Sequence, residues 1–162
     1  MRTLLAVLTV LMLSTTPVVA GDWEDGVSAF NAGDFKKALR LWKVLAEQGH
    51  AEAQGNLGYM YDNGEGVPQD NAQAAHWYHK AAEQGHEQAQ YNLGLFYAMG
   101  KGVPQNHVEA YAWWSISATQ GEYDARRNKG IVEEQMTPDQ IAKGKALASE
   151  YWEKYVVPFQ EE

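Results

Sequence analysis

Apolar residues recur at every fourth position in two stretches of the chain: Ala53, Leu57 and Tyr61, then Ala89, Leu93 and Tyr97. Spacing of four places each set on one stripe of a helix. Each stripe runs into Gly-x-Gly-Val-Pro-Gln, Gly64 to Gln69 and Gly100 to Gln105. There the first glycine suits a left-handed C-terminal cap and the proline forbids continuation. Asp70 and Asn106 are good N-caps for second helices, whose apolar face is Ala74, Trp77 and Ala81 in one copy and Ala110 and Trp113 in the other. The pattern predicts pairs of short antiparallel helices joined by a fixed loop.

The two stretches are copies. Gly49 to Gly58 returns almost intact as Gly85 to Gly94, 36 residues on, and the offset holds through the loops and through Trp77 and Trp113. A period in this range marks a stacked helical array, in which each unit buries its apolar face against its neighbours. Two degenerate copies flank the pair. Upstream, a tight Ala32-Gly33-Asp34 turn replaces the long loop, and Ala38, Trp42 and Ala46 continue the pattern. Downstream, Gly121, Ala125 and Asn128 match Gly85, Ala89 and Asn92, after which the match fades. Thr137-Pro138, an N-cap with proline at the first helical position, opens a last helix to about Tyr155, with Ile141, Ala148, Tyr151 and Trp152 available to close the core. The expectation is an all-α chain of eight helices in about four pairs, with no strands. It divides as a leader at 1–20, a degenerate repeat at 21–48, full repeats at 49–84 and 85–120, a degenerate repeat with a capping helix at 121–155, and a tail at 156–162.

Gly58 and Gly94 fall mid-helix, where glycine costs up to about 1 kcal/mol relative to alanine. Their recurrence predicts a close approach of the two helices of a pair, with Trp77 or Trp113 over the gap. Trp42, Trp77 and Trp113 are read as core. Trp114, whose equivalent is Tyr78, is left to cover the next unit or lie exposed, and Tyr91, opposite Gly55 in the register, is a surface candidate.

The first twenty residues differ from the rest. Arg2 is their only charge, Leu4 to Leu13 is an apolar run broken only by Thr9, and Pro17-Val18-Val19-Ala20 ends in small residues. That is the pattern of a cleavable secretory signal, cut after Ala20 and placing the mature chain in the periplasm or outside the cell. The run is short of the ~20 residues a spanning helix needs, so no membrane insertion is expected after cleavage. The chain carries 13 basic and 21 acidic residues, a formal charge of −8, which argues against nucleic acid as a partner. With no cysteine there is no disulfide framework, thiolate metal site or lipid attachment.

The elements Ala-x-Ala-Gln-x-Asn-Leu-Gly, Gly-x-Gly-Val-Pro-Gln-Asp/Asn, Ala-x-x-Trp and Ala-x-x-Gln-Gly resemble the Sel1-like repeat, a relative of the tetratricopeptide repeat. Residues 49–120 carry the resemblance as two full units; 22–48 and 121–155 carry it weakly. It implies a short right-handed α-solenoid whose first helices line a concave groove. Exported bacterial members act as adaptors, as regulators holding a signalling partner, or as host-contact proteins.

In the related tetratricopeptide repeats one stripe of the first helices lines the groove. Carried over, that stripe holds Glu52, Gly55, Asn56 and Tyr59, then Gln88, Tyr91, Asn92 and Leu95, then Asp124, Arg127, Asn128 and Ile131. The candidate partner-binding residues are Asn56, Tyr59, Tyr91, Asn92, Leu95, Arg127 and Asn128. Carboxamides at Asn56, Asn92 and Asn128 both donate and accept, which suits the main chain of an extended peptide; the alternative is that each bonds a neighbouring helix and fixes the stacking. The lysines of the family's carboxylate clamp are replaced by Glu52, Gln88 and Asp124, so the expected ligand is an apolar or basic segment.

No catalytic motif is present: no Gly-x-Ser-x-Gly, Ser-x-x-Lys, phosphate-cradling glycine loop or His-Glu-x-x-His. His76 and His79 share a helix face at a spacing two metal ligands can use, but Lys80 and Glu83 beside them offer no third ligand, and His50 and His86 are read as helix caps. No cofactor, metal or enzymatic activity is expected. The leading reading is an exported protein–protein interaction module, an adaptor or regulator binding a protein or extended peptide in the groove. One rival is a cell-wall or penicillin-binding enzyme, by analogy with relatives that are stapled by cysteines absent here. Another is a structural envelope component without a discrete ligand.

Overall fold

A computed structural model describes residues 21–160; the expected leader at 1–20 and the end of the tail lie outside the described residues. Among those described there are eight α-helices and no strand. They are α1 Asp22–Asn31, α2 Phe35–Glu47, α3 Ala51–Asn63, α4 Asn71–Ala82, α5 Glu87–Met99, α6 His107–Gln120, α7 Tyr123–Glu133 and α8 Pro138–Tyr155, followed by a short 3-10 turn, Val157–Phe159.

Helix ends fall where the side chains dictate. Asp70 accepts from the Ala72 and Gln73 N–H groups, and Asn106 from those of Val108 and Glu109, filling donors a helix start leaves open. His50 Nδ1 accepts from Ala53 N–H at 3.3 Å and His86 Nδ1 from Ala89 N–H at 3.2 Å, the capping role expected of both. Gly64 and Gly100 end α3 and α5 at φ 72° and 68°, a left-handed cap only glycine takes freely. The second glycine of each loop has a different task. Gly66 lies flush on the Phe35 carbonyl and Gly102 on that of Asn71, where a Cβ would overlap the preceding unit's second helix.

The core is continuous along the array. One cluster joins Trp42, Leu45, Leu57, Met60 and Trp77; the next joins Tyr78, Leu93, Phe96, Trp113 and Ile116; the third joins Tyr111, Trp114, Ala125 and Val132. Tyr61 bridges the first two and Tyr97 the last two. Every cluster draws on more than one unit, so no unit buries its apolar face alone. The architecture is an all-α solenoid of helix pairs.

Two packing details differ from the sequence expectations. Gly58 receives the Tyr78 ring and Gly94 the Trp114 ring, not Trp77 or Trp113. The same contact occurs in the first unit, where Gly26 receives Trp42. Trp42, Tyr78 and Trp114 are therefore the equivalent residues, and Trp114 is buried at 4% exposure. Trp77 and Trp113, one position earlier, are buried too, because a second helix in the array is covered on two sides. The other difference is at the C-terminus, where α8 packs broadly on α6 and little on α7. Gly144 seats the Tyr111 ring; Tyr155 stacks on Trp113 at 5.7 Å between centroids and Tyr151 lies tilted against it at 4.4 Å.

Two buried glutamines tie the units together. Gln54 Nε2 donates to the Ala46 carbonyl at 3.0 Å and Gln84 Nε2 donates to Gln54 Oε1 at 2.7 Å. One repeat on, Gln90 donates to Ala82 and Gln120 to Gln90, at 3.1 and 2.5 Å. Each pair links the end of one second helix, the next first helix and its own second helix, satisfying carboxamides that burial would otherwise penalise. In the following unit the position is the exposed Arg126, and the relay stops.

Candidate concave binding face

Neighbouring first helices touch, α3 with α5 and α5 with α7, while α2 with α4 and α4 with α6 do so less. The outward stripe of the first helices is the face expected to be concave in a stack of such helix pairs. Three register positions recur along it. Trp23, Gly55, Tyr91 and Arg127 occupy one; Glu24, Asn56, Asn92 and Asn128 the next; Val27, Tyr59, Leu95 and Ile131 the third.

The first position is a contact between units. Trp23 stacks on the His50 ring at 5.0 Å, and Gly55 leaves room for the His86 ring, so each residue meets the cap of the next first helix. Burial holds the His86 imidazole below its ordinary pKa, with Glu52 and Glu87 opposing in part. A neutral ring is what the cap needs, since Nδ1 must accept.

The second and third positions frame two cavities. One, of about 320 Å³, lies between α1 and α3 and is lined by Val27, Phe30, Trp42, Asn56 and Tyr59. The other, of about 220 Å³, lies between α5 and α7, with Leu95, Met99, Trp114, Asn128, Ile131 and Gln135 in its wall. Both have exposed apolar residues at the rim, Tyr59 at 44%, Ile131 at 48% and Met99 at 65%, and the second also has Gln105 and His107 in its wall. Trp42 and Trp114 occupy equivalent places in the two. Trp114 Nε1 donates to the Tyr91 carbonyl at 3.0 Å, whereas the equally buried Trp42 Nε1 meets no acceptor among the described residues.

The seven candidate residues are thus divided. Asn56 and Tyr59 belong to the first cavity, Leu95 and Asn128 to the second. Asn92 lies between them at the Tyr78 hydroxyl, whose pKa is driven up by burial and by Asp62 and Tyr59, and drawn back in part by the Asn92 carboxamide. Tyr91 is half-buried against the Tyr111 and Trp114 cluster, its hydroxyl 3.5 Å from Asn128 Nδ2; it braces α5 to α7 and is less free than a surface residue. Arg127 is exposed beside it. Val27, Phe30 and Met99 complete the cavities and were not among the sequence candidates. A repeat-register continuation from Tyr59 back to Val27 was the signal available, obscured by the shorter first unit.

Elsewhere, Asp62 pairs with Lys101, tying α3 to the loop after α5. His79 is held by Glu83 at 3.4 Å and the edge of Trp113. No group of three or more potential metal ligands occurs among the described residues, and none of their helices is long and apolar enough to cross a membrane.

The chain belongs to the Sel1 repeat family, whose model matches residues 24–50, 51–86 and 87–122. Its fold is similar to that of a protective antigen present in uropathogenic Escherichia coli strains and displaying an SLR fold, at TM-score 0.80 and 34% identity over 85% of this chain. The chain spans only 30% of that protein's length. It is also similar to a Sel1 repeat protein from Oxalobacter formigenes, at TM-score 0.64 and 33% identity, over 70% of this chain and 88% of the other. Cysteine-rich protein B of Helicobacter pylori shares the fold at TM-score 0.54 and 23% identity, over 63% of this chain and 87% of that one. No curated protein matches. Sel1-repeat proteins are generally protein-interaction modules, and their fold is typically a non-catalytic scaffold.

Proposed function

We propose that the protein is an exported interaction module, an adaptor or regulator that holds an envelope or secreted partner against its concave face. The observation that carries this is the pair of cavities at equivalent places on the first-helix stripe, with rims of exposed Tyr59, Met99 and Ile131. Apolar rims around indole-lined hollows are the anatomy of anchor sites in protein interfaces. Export rests on the Leu4 to Leu13 run and the small residues before Gly21.

Fractionation of cells expressing the intact chain, with mass spectrometry of its N-terminus, tests the location. A product starting at Gly21 in the periplasm or medium is expected; a cytoplasmic chain that keeps residues 1–20 overturns it. Pull-down with the purified mature chain, repeated with Tyr59→Asp and Ile131→Asp, tests the face. The captured protein should be lost with either substitution.

A further inference from the structure

We propose that the two cavities take two apolar side chains of one extended segment of a partner protein, about six residues apart, with basic residues between them. This rests on the concave-face reading above and adds the spacing and charge of what binds there.

The order of chemistry along the face motivates it. At one end Trp42, seated on Gly26, lines a hollow rimmed by Val27 and Tyr59; two units on, Trp114, seated on Gly94, lines one rimmed by Leu95 and Ile131. In the unit between them the equivalent aromatic is Tyr78, whose hydroxyl faces Asn92. The face therefore reads apolar, polar, apolar. At about 320 and 220 Å³ the hollows sit at or below the lower end of small-molecule pockets, roughly 300 Å³, which suits single side chains.

Geometry sets the spacing. Packed helices lie about 8–10 Å apart; with neighbouring first helices taken at that distance, the cavities, between α1 and α3 and between α5 and α7, are two steps apart, roughly 16–20 Å. An extended chain rises about 3.3 Å per residue, so the anchors are five or six residues apart. Six is selected because strand side chains alternate, and only an even separation points both to one face.

Charge sets what lies between. Helices α1, α3 and α5 carry exposed Glu24, Glu52 and Glu87 and no Lys or Arg; the bases near the stripe, Arg126, Arg127 and Lys129, lie on α7 with Asp124, and Asp62 is already paired with Lys101. The chain as a whole is acidic, at −8. Such a face attracts a cationic segment and makes its capture sensitive to salt.

The test is fluorescence anisotropy on the mature chain with labelled Lys/Ser peptides bearing two leucines two to nine residues apart. Affinity should peak at a separation of six, about ten-fold or more above a one-leucine peptide, the effect of burying one further leucine. Tyr59→Asp or Ile131→Asp, both at exposed side chains and checked by circular dichroism, should each remove that advantage, and Glu/Ser peptides should bind far more weakly. Binding that is independent of spacing yet lost in both variants overturns the two-anchor proposal and leaves the concave reading standing. Binding indifferent to both variants overturns the concave reading itself. No binding at millimolar peptide for any spacing overturns the proposal, as does a dimer broken by the two substitutions, which would give the cavities to a second copy.

Discussion

Trp114 lies against Gly94 so closely that its indole occupies the space a β-carbon would need, and it donates its N–H to the Tyr91 carbonyl at 3.0 Å. Gly94→Ala must push a buried ring, and overpacking of that kind costs about 1–3 kcal/mol. At Gly130, the equivalent position in the next unit, a β-carbon meets nothing within 4 Å. Gly130→Ala there should stabilise by roughly 0.5–1 kcal/mol through helix propensity and a less flexible unfolded chain. Urea titration of both variants should give shifts of opposite sign; equal signs contradict the packing described.

The glutamine relay gives a second expectation. Gln90 is fully buried, donates to Ala82 and accepts from Gln120. Gln90→Leu would leave the Gln120 amide without that acceptor and remove the donor to Ala82, at a cost of about 1–3 kcal/mol. The exposed Arg126 at the same register position should tolerate Arg126→Gln within about 0.5 kcal/mol.

Acid should weaken the fold through His86. Its folded-state pKa is held below the ordinary 6.5, first by burial, so the unfolded chain takes up a proton before the folded one does. Stability is then complete above about pH 6.5 and declines as pH falls below it. His86→Asn keeps a capping side chain that does not titrate. Between pH 7.5 and pH 5 the natural protein should lose more of its melting temperature than this variant; parallel losses would remove His86 as a cause.

Trp113 is fully buried beneath Tyr151 and Tyr155, so Trp113→Ala should cost about 3–5 kcal/mol and loosen α8 as well. Hydrogen exchange of the α8 amides should accelerate more than that of α2, where nothing contacts Trp113.

The repeat, its helix pairs and its caps were legible because each depends on local chemistry: stripe spacing at Leu57 and Leu93, left-handed glycines at Gly64 and Gly100, side-chain acceptors at Asp70 and Asn106. Which of two adjacent aromatics meets the glycine was not. Trp77 and Tyr78 differ by about 100° around α4, and both directions are buried, so apolar pattern alone does not separate them. The position of α8 depends on long-range packing of Tyr151 and Tyr155 on Trp113, which no local signal encodes. Gln54 and Gln90 were visible as a recurring polar residue beside the alanine stripe, and that recurrence was the clue to a link between units. For the binding face, the stripe through Asn56, Tyr59, Leu95 and Asn128 was readable from helical spacing, but its division into two cavities depends on how Trp42 and Trp114 seat on Gly26 and Gly94.

Docking of partners on the first-helix face is open to site-specific photocrosslinking in intact cells. A benzophenone side chain at Tyr59 or Met99 lies on a cavity rim, while one at Val44, also exposed at 42%, projects from α2 on the second-helix side. One protein adduct common to Tyr59 and Met99 and absent from Val44 is expected. An adduct from Val44 with none from Tyr59 or Met99 would contradict it.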